Sequence, residues 1–209
     1  MDYLRDPDAI YRRSFEIVRA ETDLSAVPDD LKDVAVRLVH ACGMPDIVAG
    51  LRWSDGVAAA ARAALGAGGR ILCDAEMVAD GIIAARLPAS NQVVSMIRLP
   101  NLARLAEAQG TTRSAAQIEL WKAYLPGSVI AIGNAPTALF RLLEVVAAEP
   151  KFRPAAILGF PVGFVGAAES KEALAAGDHG IPYLTLLGRR GGSALAAAAV
   201  NALAGRTET

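Results

Sequence analysis

Ser128-Val-Ile-Ala-Ile132 runs into Gly133-Asn-Ala-Pro-Thr137 and on into Ala138-Leu-Phe-Arg-Leu-Leu-Glu-Val-Val146. The short apolar run suits a buried strand, a glycine turn ends it, and apolar residues then recur at helical spacing. The pattern comes twice more. Ala155-Ala-Ile-Leu158 leads through Gly159-Phe-Pro-Val-Gly-Phe-Val-Gly166 into Ala167-Ala-Glu-Ser-Lys-Glu-Ala-Leu174, and Tyr183-Leu-Thr-Leu-Leu187 leads through Gly188-Arg-Arg-Gly-Gly192 into an alanine-rich helix from Ser193. Strand, tight turn and helix in succession is the repeating unit of a parallel sheet. Arg70-Ile-Leu-Cys73 and Gln92-Val-Val-Ser-Met-Ile97 read as two earlier strands, which makes five.

In such sheets the loops after the strands gather at the carboxyl edge, where ligands bind. Helix N-termini there present free N–H groups and partial positive charge, suited to carboxylates or phosphates. Asn134 is placed to cap its helix, Pro136 falls in the first turn, and Ser193 is placed to cap the last helix. Each glycine loop alone needs do no more than turn the chain. Three in succession, with Lys171, Arg189 and Arg190 nearby, point to an anionic ligand.

The chain has 209 residues, 53% of them hydrophobic, enough for one domain with a sizeable core. Helices between 6 and 66 are expected on or beside an α/β core spanning 70–204. A net charge of −1 and a pI near 6.1 give no reason to expect nucleic acid or a membrane surface as partner. Mean hydropathy of +0.33 is high for a monomer and is compatible with apolar surface shared between subunits. The start lacks a basic segment followed by an apolar core, and the alanine-rich run from 194 to 204 is too short to span a bilayer, so a cytoplasmic protein is expected. Cys42 and Cys73 show neither zinc spacing nor a disulfide framework, and the two histidines stand far apart, which leaves no metal site in view.

Taken in order, Asp6 or Asp8 opens a helix to about Glu21 with Ile10, Ile17 and Val18 as its apolar stripe and Ser14 between them. Ser14 there either bonds the carbonyl a turn back or meets a ligand. Asp29 to His40 is a second helix with Leu31, Val34, Ala35, Leu38 and Val39 inward and Gly43 as its stop. His40 lies in the last turn, where the carbonyl end favours imidazolium while Arg37 opposes it. Two roles are open to it, a structural one beside the apolar face and a proton-transferring one. Trp53-Ser54-Asp55 is read as the cap of a third helix, and Asp74 either caps a short helix after the first strand or meets ligand. Asn101 to Gln109 is helical, and Thr111-Thr-Arg-Ser114 opens another helix through Ile118 and Trp121. Arg113, at a helix start that disfavours a cation, is either solvent-facing or paired with a carboxylate of the protein or of a substrate. The tail from Gly205 is expected to fray.

No Gly-x-x-x-x-Gly-Lys-Ser/Thr is present, no strand precedes Gly-x-Gly-x-x-Gly, and Gly-x-Ser-x-Gly is absent. Arg37-Leu-Val-His40, Thr112-Arg-Ser114, Gly133-Asn-Ala-Pro-Thr-Ala-Leu139, Pro161-Val-Gly-Phe-Val165, Glu169-Ser-Lys171 and Gly188-Arg-Arg-Gly-Gly-Ser193, in this order and spacing, resemble the precorrin-8X methylmutase family. The likeness runs from about Tyr11 to Leu203.

The resemblance implies a flavodoxin-like three-layer α/β/α fold and a homodimer with active sites near its interface, with no dissociable cofactor. It implies an isomerase of cobalamin synthesis that moves a methyl group from C-11 to C-12 of precorrin-8X, giving hydrogenobyrinic acid; a cobalt-precorrin-8 reaction exists in the metal-containing branch. The family's histidine maps onto His40 as proton donor to the ring system. Its serine and arginine near the substrate map onto Ser14 and Arg113. Arg37, Gly133, Asn134, Thr137, Gly163, Phe164, Lys171, Arg190, Gly191, Gly192 and Ser193 complete the substrate-binding set that the matching motifs imply, for a ring that carries many carboxylates. Many members have Thr where Cys42 stands. Two other classes of function fit the bare pattern, a nucleotide-dependent oxidoreductase and a corrinoid carrier without turnover. The missing dinucleotide fingerprint counts against the first, and the second predicts that His40→Ala leaves binding intact with no activity to lose.

Overall fold

The computed structural model describes Met1 and residues 3–205, so the expected fraying tail lies, beyond Gly205, outside the described residues. Nine α-helices and six strands follow one another among these residues. α1 (Pro7–Glu21), capped by the Asp6 carboxylate, and α2 (Asp29–Cys42), stopped by Gly43 at φ +71°, precede the sheet. Then come β1 (Leu51–Trp53), α3 (Val57–Gly66), β2 (Ile71–Cys73), α4 (Glu76–Asp80), β3 (Val93–Ser95), α5 (Leu102–Ala108) and α6 (Arg113–Trp121). The chain closes with β4 (Val129–Ile132), α7 (Pro136–Ala148), β5 (Ala156–Gly159), α8 (Ala167–Ala176), β6 (Tyr183–Leu186) and α9 (Ser193–Ala204).

The sheet order is β1-β6-β5-β4-β2-β3, with β1 antiparallel and all other neighbours parallel. Counted along the five parallel strands alone, this is 2-1-3-4-5, the flavodoxin order. The expected five strands are all present, and the sheet has a sixth. Leu51–Trp53 pairs with β6 through Leu51↔Leu186 and Trp53↔Leu184. Three residues are too few for an alternating signature, and they follow a 3-10 turn at Pro45–Gly50. Ser54 therefore does not cap α3. Its amide donates to the Tyr183 carbonyl and its hydroxyl accepts from the Tyr183 amide, while α3 begins at Val57 behind Gly56.

β4 and β5 are buried along their whole length, as strands covered on both faces must be. One face carries α3, α4 and α9, with α2 packed over α9 and α1 over α2; the other carries α5 to α8. α9 is buried from Leu195 to Ala204, where alanines let it lie close to both the sheet and α2. The inward face of α1 departs from the expected stripe. Phe15 is buried with Val18 against the core, whereas Ile10 and Ile17 face solvent, because α2 meets the turn of Tyr11, Ser14, Phe15 and Val18.

Candidate functional site

α1 and α2 meet so that Ser14 and His40 touch: Ser14 Oγ lies 2.8 Å from His40 Nδ1. The buried Phe15 ring stacks on the imidazole, with centroids 4.6 Å apart and planes 27° apart. His40 itself is exposed at the end of α2, where its apolar neighbours Leu38 and Val39 point into the core. One helical turn earlier Arg37 is buried and its Nη1 donates to the Tyr11 hydroxyl at 2.6 Å. Arg86 Nη2 donates to the same oxygen at 3.0 Å. The stretch bearing Arg86 is held to α9, since Asn201 accepts from the Ile83 amide and donates to the Gly81 carbonyl. The imidazole thus sits in a frame of an aromatic ring, a hydroxyl and two arginines drawn from α1, α2 and the stretch after α4.

At the carboxyl edge of the sheet, Asp74 follows β2 and is fully buried. Its Oδ1 accepts from the Gly133 amide at 2.8 Å, and its Oδ2 from the Asn134 and Ala135 amides at 2.9 and 2.7 Å. Burial raises the Asp74 pKa above the usual carboxylate range, against the pull of these three bonds. The expected caps are corrected here. α7 is capped from outside by Asp74, since its N-cap is Ala135 and the Asn134 side chain makes no cap bond; α9 starts behind Gly192, so Ser193 is its first residue and not its cap. The Gly133 and Asn134 amides meet the protein's own carboxylate. Thr137, in the first turn of α7, shares a 2.8 Å hydrogen bond with Thr112, the N-cap of α6. Arg113 stands next to it, exposed, its side chain making no hydrogen bond or ion pair to any described residue.

The β5–α8 and β6–α9 loops are laced together. The Gly192 amide donates to the Phe160 carbonyl at 2.8 Å and the Gly163 amide to the Arg189 carbonyl at 3.2 Å. A side chain at Gly191 would collide with the Phe160 and Pro161 carbonyls, and one at Gly133 would come within 2.6 Å of the Ser193 Cα, so this edge closes only around glycine. Lys171 is fully buried, and its Nζ donates to the Arg190 carbonyl at 2.5 Å. That burial pulls its pKa down to about 8. Arg190 reaches the Asp46 carboxylate at 2.6 Å, which ties the β6–α9 loop to the segment that follows α2. Phe164 and Val165 stand 83% and 89% exposed, with the Arg189 guanidinium over the Phe164 ring at 5.3 Å.

The residues singled out from sequence therefore fall into three groups. Ser14, Arg37 and His40 form one. Gly133, Asn134, Thr137 and Arg113 line a second, joined to the third (Gly163, Phe164, Lys171, Arg190, Gly191, Gly192, Ser193) by the Gly133–Ser193 contact. Sequence reasoning passed over Tyr11, Phe15, Asp46, Arg86 and Gln117. Only Asp74, placed directly after a strand, carried a signal. A cavity of about 660 Å³ lies at the opposite, amino-terminal edge beside Gly69, Arg70, Gln92 and Gly127 and includes none of the three groups.

The fold and these groups define a doubly wound α/β protein with an imidazole held at a helix end and basic and hydroxyl groups around its carboxyl edge. The chain belongs to the precorrin-8X methylmutase family, whose model matches residues 9–206. The precorrin-8X methylmutase of Pseudomonas aeruginosa is 59% identical over 209 residues, covering all of both chains. The cobalt-precorrin-8 methylmutase of Methanothermobacter thermautotrophicus is 38% identical and covers 93% of this chain and 90% of its own. A crystal structure of precorrin-8X methylmutase from Thermus thermophilus superposes with a TM-score of 0.85 at 38% identity, covering 94% of each chain.

Proposed function

We propose that this isomerase of cobalamin biosynthesis moves the C-11 methyl group of precorrin-8X to C-12, yielding hydrogenobyrinic acid, with His40 as the proton donor. The observation that carries the role of His40 is its hydrogen bond to Ser14 at a solvent-facing helix end. With the imidazolium Nδ1–H donating to the Ser14 hydroxyl oxygen, the transferable proton resides on Nε2 and its loss leaves a neutral imidazole, and the stacked Phe15 ring fixes the plane in which it points. Lending that proton to a ring nitrogen or carbon turns the conjugated system into a better electron sink, and the methyl group migrates within the same molecule. Because an isomerisation conserves composition, the proton returns to His40 as the new conjugation forms. Little covalent help is needed, so confining a large flat ring in one pose supplies much of the acceleration.

The ring's acetate and propionate carboxylates suit Arg113, the Thr112–Thr137 hydroxyl pair and the Asn134 side chain at the carboxyl edge. Lys171 serves from within, holding the Arg190 backbone, and Arg190 exchanges Asp46 for a substrate carboxylate at little cost because that ion pair is exposed. No dissociable cofactor enters this scheme. A cytoplasmic homodimer fits the reading: a second subunit over the β5–α8 loop would cover Val162, Phe164 and Val165. Among the described residues no helix is long and apolar enough to cross a membrane.

The test is to incubate the purified protein with precorrin-8X and, separately, with cobalt-precorrin-8, following the visible spectrum and the mass. The account expects a spectral change at constant mass with the metal-free ring. Binding of either ring without conversion would make the protein a carrier.

A further inference from the structure

The flavodoxin strand order has one switch point, between β2 and β4, where successive helices leave opposite faces of the sheet. A crevice opens there at the carboxyl edge, and in doubly wound sheets it receives the ligand. In this protein it is filled by the Asp74 carboxylate, whose two oxygens accept three consecutive amides, Gly133, Asn134 and Ala135, ahead of α7. No lysine or arginine among the described residues pairs with it. The Asp74 carbonyl accepts from Gln117 Nε2 at 2.9 Å, and Gln117 is also fully buried, in the middle of α6. One residue thus joins the end of β2, the β4–α7 loop and α6. The Thr112–Thr137 bond closes the same ring at the surface, one residue from Arg113.

We propose that Asp74 is the positioning residue of the substrate-binding edge: it touches no substrate, and it sets the β4–α7 loop and the start of α6 in the one relation that brings Asn134, Thr137 and Arg113 to the ring's carboxylates. This rests on the methylmutase reading given above. The chemistry asks for aspartate. Three donors converge on two oxygens, so asparagine would aim its own NH₂ at N–H groups, serine would offer a single oxygen, and glutamate needs space that a fully buried site lacks. The internal carboxylate also satisfies the amides at the start of α7. The ring's carboxylates therefore meet side chains on the rim and not the amides of the crevice.

Asp74→Asn and Gln117→Met, the latter keeping shape while losing the donor to the Asp74 carbonyl, test this with precorrin-8X as substrate. The contacts set by Asp74 hold substrate and transition state alike, so KM should rise about tenfold in Asp74→Asn with kcat within about twofold of wild type. Gln117→Met should raise KM severalfold in the same way, and it decides the matter if Asp74→Asn does not fold. A purely structural residue would reduce the active fraction, lowering apparent kcat at unchanged KM; that pattern, or no change in either variant, overturns the proposal. Wild type that leaves precorrin-8X unconverted overturns the methylmutase reading and this inference with it, whereas active wild type beside KM-neutral variants removes Asp74 alone.

Discussion

His40 owes its setting to a neighbour 26 residues away. Ser14 bonds Nδ1 and Phe15 covers one face of the ring, so the imidazole is held in orientation and in plane. Ser14→Ala removes the hydrogen bond to Nδ1 while keeping the stack. We expect kcat to fall about tenfold with KM nearly unchanged, and steady-state kinetics on precorrin-8X would read this directly. A rise in KM at constant kcat would instead make Ser14 a substrate contact. At this scale the sequence was half legible. The position of His40 in the last turn of α2 followed from the periodicity of Leu31, Val34, Ala35, Leu38 and Val39. The partnership with Ser14 and Phe15 did not follow, because it depends on which face of α1 meets α2. The aliphatic residues Ile10 and Ile17 marked a different face from the one that Tyr11, Phe15 and Val18 turn inward. Arg113 fared differently: its place at the start of α6, against the local electrostatic preference, was visible from Thr112 and the apolar spacing alone.

The loops at the carboxyl edge work as elements, and α8 carries their internal support. Lys171 reaches the Arg190 carbonyl from within the core, and desolvation holds its pKa at about 8, against 10.5 for a free lysine. Between these values the unfolded chain keeps the proton and the folded chain releases it, so stability must rise with pH across that interval. The cost of burying the charged form is complete below about pH 8 and is relieved toward pH 10.5, by an amount on the order of 3 kcal/mol. Urea unfolding at pH 7.5 and pH 10 should therefore show a rise for wild type relative to Lys171→Met, which has no charge to lose. Parallel pH dependence in both proteins would contradict the burial. Helices such as α2 and α7 were legible as elements because each shows a long apolar period. Their starts were less so. Asn134 and Ser193 look like caps in one dimension, but the cap of α7 is an aspartate some 60 residues earlier, and α9 starts behind Gly192. An acceptor supplied by tertiary contact leaves no local trace.

The whole molecule is a five-strand flavodoxin-like sheet with one antiparallel strand added at the β6 edge, α2 laid over α9 and α1 over α2. Buried runs such as Val129–Ile132 and Ala156–Gly159, each followed by glycine and a helix, made the parallel sheet readable. Leu51–Trp53 escaped because three residues earn their strand character only from pairing with β6. The fold places the switch point under Asp74, gathers the basic and hydroxyl groups around it, and ties the segment after α2 to the same edge through Asp46 and Arg190. Geometry of this kind suits the proposed confinement of a polycarboxylate ring, with the imidazole proposed as the source of the proton. The central claim is that His40 drives the rearrangement. It is tested most directly by single-turnover conversion of precorrin-8X by wild type and His40→Ala at saturating enzyme, with folding checked by circular dichroism and ring binding by fluorescence quenching. The account predicts that His40→Ala binds the ring within a few-fold of wild type while conversion slows by about 10²-fold or more. Equal rates of conversion by the two proteins would remove His40 from the chemistry.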